Sequence, residues 1–302
     1  MNVKKTKKIV VLATGGTIAG LASDASQPQN YTAGQVAVAD LLGGFIFNGL
    51  DVHTEQVAQI DSKDMSFGLW QSLLARVAHW VSQDDVQGVV ITHGTDTLEE
   101  TAYFLQTVLQ PAKPVAITCA MLPANAPDSD GPANLKEALA LTQASDSHGV
   151  FVVCAGQVHP GDAVQKSHSH QRNPFTSQAP VTPPAFLRVP TVAQVLACKR
   201  WPRVALVLNH AGADGRMVRT LMAHDAPDGW VAAGTGNGTL HQDLETALLE
   251  AQNQGSLVLR ASRCAWGGVQ SRDADVLPHA GLLTAVQARV ALWLHLVSLQ
   301  AS

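Results

Sequence analysis

Two short segments concentrate hydroxyl, imidazole and carboxylate groups beside glycine: Thr14-Gly15-Gly16-Thr17-Ile18-Ala19-Gly20 and Ile91-Thr92-His93-Gly94-Thr95-Asp96-Thr97. Thr17 and Thr95 are the candidate nucleophiles, because a hydroxyl next to glycine can approach a substrate closely. A threonine hydroxyl is far from ionising at neutral pH, so it needs a base. His93 is one option, but its strand-end position is read in preference as a packed ring donating to backbone. Lys166, in Gly161-Asp162-Ala163-Val164-Gln165-Lys166-Ser167, is the better candidate. Drawn into a pocket, a lysine loses solvation, its pKa falls and it can take a proton. Taken alone, the same residue is more commonly a solvated surface lysine. Asp96, in the first turn of a helix, is either a favourable charge at a helix N-terminus or a carboxylate for a substrate ammonium. That helix start also offers N–H groups to an oxyanion.

Other chemistries find little support. Gly15, Gly16 and Gly20 do not match G-x-G-x-x-G and no G-K-[ST] follows, so a nucleotide loop is disfavoured. His168 and His170 stand two apart in a polar loop without a ligand cluster, and no H-E-x-x-H occurs, so no metal and no cofactor are expected. Four widely spread cysteines make no C-x-x-C pair and no disulfide scaffold. Twenty Lys plus Arg against 24 Asp plus Glu leave a net charge of −4 with no basic stripe, which argues against nucleic acid. Only the head, residues 1–8, is basic, and the apolar run after it is too short for a signal peptide. No stretch reaches the ~20 apolar residues of a membrane span. A soluble, cytoplasmic chain is the expectation.

The elements that must position these residues are legible in the apolar pattern. With 302 residues, 46% of them apolar and 15% charged, the chain can fill two cores. Ile9–Leu12, Gly88–Ile91, Val115–Ile117 and Val150–Val153 are non-alternating apolar runs bounded by turns, which suits parallel strands buried on both faces. Between them, Trp70, Leu73, Leu74, Val77 and Val81 share a helical face, with Ser66 as N-cap. Helices are predicted likewise over Thr97–Leu109 and Leu135–Thr142. A Pro-rich stretch with Pro174, Pro180, Pro183, Pro184 and Pro190 precedes a second series, Val204–Leu208, Trp230–Ala233 and Leu257–Leu259, with helices over Leu240–Gln252 and Leu282–Leu299. In the last helix Val286, Val290, Trp293 and Val297 share a face. The pattern predicts an α/β protein: a larger N-terminal doubly wound, mostly parallel sheet over 1–184, a linker at 185–203 and a smaller α/β domain over 204–302. In such sheets ligands bind at the carboxyl ends of strands, so both threonine segments can face one crevice.

Ala13–Gly20 and Ile91–Ala102 resemble, almost letter for letter, the two signatures of the bacterial-type L-asparaginase family. The resemblance extends over nearly the whole chain, through Asn30-Tyr31-Thr32, Ile60-Asp61-Ser62, Asp130–Leu135, the Lys166 segment, Gly234–Thr239 and Asp273-Ala274-Asp275. It implies amide hydrolysis without metal or cofactor and a homotetramer of close dimers, each site completed by the neighbour's smaller domain. Thr17 matches the first nucleophilic threonine, on a mobile lid loop, and Tyr31 the tyrosine assisting it. Thr95, Lys166 and Asp96 match the second threonine, its lysine and the aspartate that holds the α-amino group. Asp61 and Ser62 fall in the substrate-binding segment, Ser62 on the α-carboxylate, and the Ala120 carbonyl faces the leaving amide. Thr239 and Asp275 match positions through which the neighbouring subunit touches substrate.

Four positions depart from the family pattern: Lys63 replaces Gln or Glu, Asp275 replaces Glu, Thr239 replaces Asn or Ser, and Leu122 replaces a frequent arginine. The reading is an L-asparagine amidohydrolase giving L-aspartate and ammonia. The alternatives are a broader glutaminase-asparaginase and a non-catalytic amino-acid-binding protein; the trio Thr17, Thr95 and Lys166 argues against the second, since binding needs no nucleophile and base.

Overall fold

The computed structural model describes residues 7–43, 51–144, 147–179 and 181–300. Most of the basic head (residues 1–6) and Pro180 lie outside the described residues. The chain divides into two units, Met1–Ser177 and Gln178–Ser302.

The apolar runs of the first unit become strands β1 (Lys8–Gly15), β5 (Val86–Thr92), β6 (Pro114–Thr118) and β7 (Gly149–Cys154). Two short strands, β2 (Leu21–Ala22) and β3 (Tyr31–Thr32), pair antiparallel after β1. A helix α1 (Val38–Leu42) then leads toward β4 (Asp51–Ile60), and β8 (Gln157–Pro160) follows β7. The main sheet runs β4-β1-β5-β6-β7-β8, parallel except for the antiparallel pairing of β8 with β7. Helices α2 (Phe67–Val81), α3 (Leu98–Leu109) and α4 (Gly131–Leu141) make the crossovers. Ile9, Val11, Ala13, Val90, Ala116 and Val153 pack with α1 and α4 on one face. Val10, Leu12, Val89 and Ile91, equally buried, point to the opposite face, where α2 and α3 lie with Trp70 stacked on Phe104. Burial on both faces is why these strands read as continuous apolar runs. Two further strands, β9 (Val164–Lys166) and β10 (Phe175–Ser177), form a separate antiparallel pair.

In the second unit a short helix α5 (Val192–Ala197) precedes β11 (Val204–Leu208), β12 (Gly229–Gly234), β13 (Leu257–Ser262) and β14 (His279–Thr284), a fully parallel sheet in sequence order. Its core sets Trp230, Ala232 and Val258 against Val218 of α6 (Arg216–His224) and Leu244, Ala247 and Leu248 of α7 (Gln242–Asn253). The terminal helix α8 (Ala285–Gln300) buries Val290, Trp293 and Val297, leaving Val286 half-buried. The α/β architecture is as the sequence implies, with local differences. Helix α4 begins at Gly131 rather than Leu135, with Pro132 in its first turn, where the missing N–H costs nothing. Leu282, Leu283 and Thr284 belong to β14, not to the final helix.

Candidate active site

The loops that follow β1, β4 and β5 touch at two glycines. Gly16 sits at φ 79°, and a Cβ there would lie 2.3 Å from the Gly94 nitrogen. A Cβ on Gly94 would in turn lie 2.5 Å from Ser62 Oγ. The Gly16 N–H also donates to the Ile60 carbonyl at the end of β4. Backbones that close leave no room for a side chain, so glycine is the residue that lets these three loops meet. Thr17 and Thr95 each follow one of the contacting glycines, and Ser62 packs on the same point.

Thr17 opens a single 3-10 turn, Thr17–Ala19, and is buried. Its Oγ1 lies 2.7 Å from the Tyr31 hydroxyl, brought there by the β2–β3 pairing in which Ala22 faces Tyr31. Ala22 is fixed from behind by both atoms of the Asn125 side-chain amide. Ile18 and Ala19 pack on buried Ala120, just past the end of β6. The Ala120 segment is held by Asp130, whose carboxylate accepts the Met121 and Leu122 N–H groups at 2.9 Å each, and by Asn134, which donates to the Cys119 carbonyl.

Lys166, on β9, is only 16% exposed at its side chain and donates to Thr95 Oγ1 at 2.9 Å and to Asp96 Oδ1 at 2.6 Å. Thr95 is buried and Asp96 is exposed, so this triad runs from protein interior to solvent. Ser62 Oγ accepts the Asp96 N–H at 3.1 Å, and the Ser62 carbonyl accepts the Thr97 hydroxyl at 2.7 Å. One N–H of the helix start is therefore already taken by Ser62. Asp61 caps the short Ser62–Asp64 turn. Lys63 is 60% exposed and pairs with Asp61 at 3.0 Å and Asp64 at 2.9 Å. Hydrogen bonds to Asp64 and then Asp61 push its ammonium pKa up to about 12.

His93 is fully buried and its imidazole pKa falls to about 4, because burial penalises the charged ring. Its Nδ1 lies 2.7 Å from the Gly94 carbonyl and its Nε2 lies 3.1 Å from Thr101 Oγ1. A carbonyl only accepts, so Nδ1 carries the proton and Nε2 accepts from Thr101, which accepts from Trp70 Nε1. This packed histidine is the arrangement preferred from the sequence, and it leaves Lys166 as the group facing Thr95.

Sequence reasoning missed Glu99. Its Oε2 accepts the main-chain N–H of Lys166 at 2.9 Å, and burial raises its carboxyl pKa to about 7. No sequence signal sets it apart, because a carboxylate in a helix's first turn is ordinary charge placement, and Asp96 lies before the helix rather than in its first turn.

Thr239 and Asp275 lie in the second unit. Thr239 is exposed and hydrogen-bonds Thr235 at both hydroxyl and carbonyl. The Asp275 side chain, 9% exposed, pairs with buried Arg260 at 2.8 Å and with Arg272 at 3.1 Å. Burial works to raise its pKa, but the Arg272 N–H and the Arg260 guanidinium hold it below the ordinary carboxylate value. Among the described residues no three His, Cys, Asp or Glu side chains gather as metal ligands. Nor is any helix long and apolar enough to cross a membrane.

Comparison with known proteins matches residues 8–188 to the asparaginase N-terminal family model and residues 203–299 to the glutaminase/asparaginase C-terminal domain. L-asparaginase 2 of Escherichia coli is 36% identical over 313 residues, spanning 95% of this chain and 88% of that protein. A glutaminase-asparaginase of Pseudomonas fluorescens is 33% identical, spanning 90% and 79%. The crystal structure of a probable cytoplasmic L-asparaginase from Campylobacter jejuni superposes with a TM-score of 0.87 at 31% identity, spanning 96% of this chain and 95% of that one.

Proposed function

The chain belongs to the asparaginase family and hydrolyses L-asparagine to L-aspartate and ammonia, and we propose that it does so through Thr17 as nucleophile. The observation that carries this reading is the pair of activated hydroxyls on adjoining loops, Thr17 at 2.7 Å from Tyr31 and Thr95 at 2.9 Å from Lys166. Thr17 Oγ1 attacks the side-chain amide carbon, and as the C–O bond forms its proton passes to the Tyr31 oxygen while the Tyr31 hydroxyl proton moves to the amide nitrogen. The amide nitrogen leaves as ammonia, giving an acyl ester on Thr17. Water then attacks the ester, and Thr95 with Lys166 relays the proton it loses to Thr17 Oγ1 as the ester bond breaks, freeing aspartate and restoring the Thr17 hydroxyl. Asp96 holds the substrate ammonium and Ser62 the α-carboxylate, with Asp61 shaping the turn between them. The Ala120 carbonyl orients the departing amide.

Activity on glutamine is the second reading, favoured by the name of the Pseudomonas relative. The working form is a tetramer of close dimers, with Thr239 and Asp275 contributing to a neighbour's pocket; the family likeness supports this. A cytoplasmic location is supported by the name of the Campylobacter neighbour.

Ammonia release from asparagine and glutamine, measured side by side, tests the substrate. Thr17→Ala and Thr95→Ala should each lower kcat by roughly a thousandfold or more while the fold survives. An acyl group trapped on Thr95 rather than Thr17 sinks the nucleophile assignment.

A further inference from the structure

Lys166 lies at the end of a strand outside the main sheet, preceded by the buried Val164 and Gln165. Strand β9 pairs with β10 in a two-stranded ladder outside the six-stranded sheet, so the main sheet's hydrogen bonds do not fix it against α3. Yet Lys166 must present its amine to Thr95, 71 residues away. The structure supplies two attachments to the same β5–α3 segment. The amine reaches Thr95 and Asp96, and the main-chain N–H reaches Glu99, in the first turn of α3.

We propose that Glu99 is a positioning residue, whose carboxylate docks β9 onto α3 and so sets the distance of the Lys166 amine from Thr95. The bond is charge-assisted and roughly twice as strong as one between neutral groups. It is also made at the root of the Lys166 side chain, so losing it lets the whole residue drift rather than one rotamer. The charged groups facing Glu99 are Glu100 on its own helix, which raises its pKa, and Lys166 on β9, which lowers it; Asp96 lies beyond, on the Lys166 amine. Burial outweighs them and leaves Glu99 titrating near neutrality, so the strength of the dock changes with pH in the working range.

This inference rests on the amidohydrolase reading, and the full-length protein is tested so that the two fail separately. Glu99→Ala should lower kcat on asparagine by about tenfold or more with KM within about threefold, since misplacing a proton-transfer group costs the chemical step. Glu99→Gln keeps an oxygen acceptor, so kcat at pH 8 should stay within about threefold while the wild-type inflection near pH 7 disappears. Crystal structures of both variants give a readout independent of activity. In Glu99→Ala the Lys166 Nζ to Thr95 Oγ1 separation should exceed about 3.5 Å, and in Glu99→Gln it should not. A wild-type protein that releases no ammonia defeats the amidohydrolase reading, and the distances alone then decide the role of Glu99. Unchanged kcat in Glu99→Ala, equal losses in the two variants, or an unmoved amine overturns the proposal. If Glu99→Ala does not fold, the pH profile of Glu99→Gln decides: a retained inflection overturns it.

Discussion

Lys63 departs from the family pattern beside the buried Ser62, where an inward cation would repel a substrate ammonium. Its side chain instead lies 60% exposed between Asp61 and Asp64, which neutralise it at the surface. Lys63→Gln should therefore change KM for asparagine by less than about threefold, read from initial rates. A tenfold fall in KM with kcat held would place the amine against the substrate. Asp275 is different: it is the counter-ion of Arg260, which is 2% exposed at its side chain and also donates to the Leu277 and Gly238 carbonyls. Its carboxylate, on a shorter side chain than the family's Glu, is thus oriented by Arg260 and Arg272. Thr17 and Thr95 were legible because hydroxyls beside glycine at strand ends have few structural uses, whereas Lys166 taken alone reads as a surface lysine. Glu99 was not, because a carboxylate in a helix's first turn is the ordinary choice of any solvated helix. The grip of Asp275 on Arg260 was hidden as well, since a contact between a strand and a loop fifteen residues on leaves no local pattern.

Where β5 ends and α3 begins, two buried groups titrate against each other. Unfolded, His93 takes a proton near 6.5, but folded only near 4. Its neutral ring thus contributes stability that is full above about pH 6.5 and is lost as pH falls toward 4, about 3 kcal/mol in all. Glu99 runs the other way: its folded pKa of about 7 lies above the unfolded 4.5, so stability falls as pH rises through that window, by a similar amount of about 3 kcal/mol. Between about pH 4.5 and 6.5 the two slopes nearly cancel. Glu99→Gln should expose the His93 slope, making denaturant melts lose stability on acidification more steeply than the wild type. Imidazole nitrogen shifts of a charged His93 ring at pH 5.5 would contradict this. The elements themselves were mostly readable, because buried parallel strands write apolar runs. Strand β4 was missed since it is an edge strand, half exposed and rich in polar residues such as Asp51, His53, Thr54 and Glu55. The start of α4 was missed because its helical face begins at Leu135 although Pro132 already initiates the turn. Leu282–Thr284 ran unbroken into the last helix, and apolar runs of that kind do not separate strand from helix by period alone.

For the whole molecule the first test is assembly. If the second unit of one chain completes the site of another, activity on a sizing column should follow the tetramer, and dilution to monomer should abolish it. A fully active monomer contradicts that arrangement. The pairing of Lys166 with Thr95 has a further consequence, for the order in which the protein is made. Both threonines leave the ribosome well before the lysine, 71 residues after Thr95, which at about 5–20 residues per second is a delay of roughly 4–14 s. When Thr95 is made β4, β1 and β5 are already synthesised, and the open apolar edge of β5 waits for β6 and then β7, which follow within the interval. The nascent chain needs shelter from aggregation just then. It is also chemically silent, because its proton-transfer partner has not yet been translated.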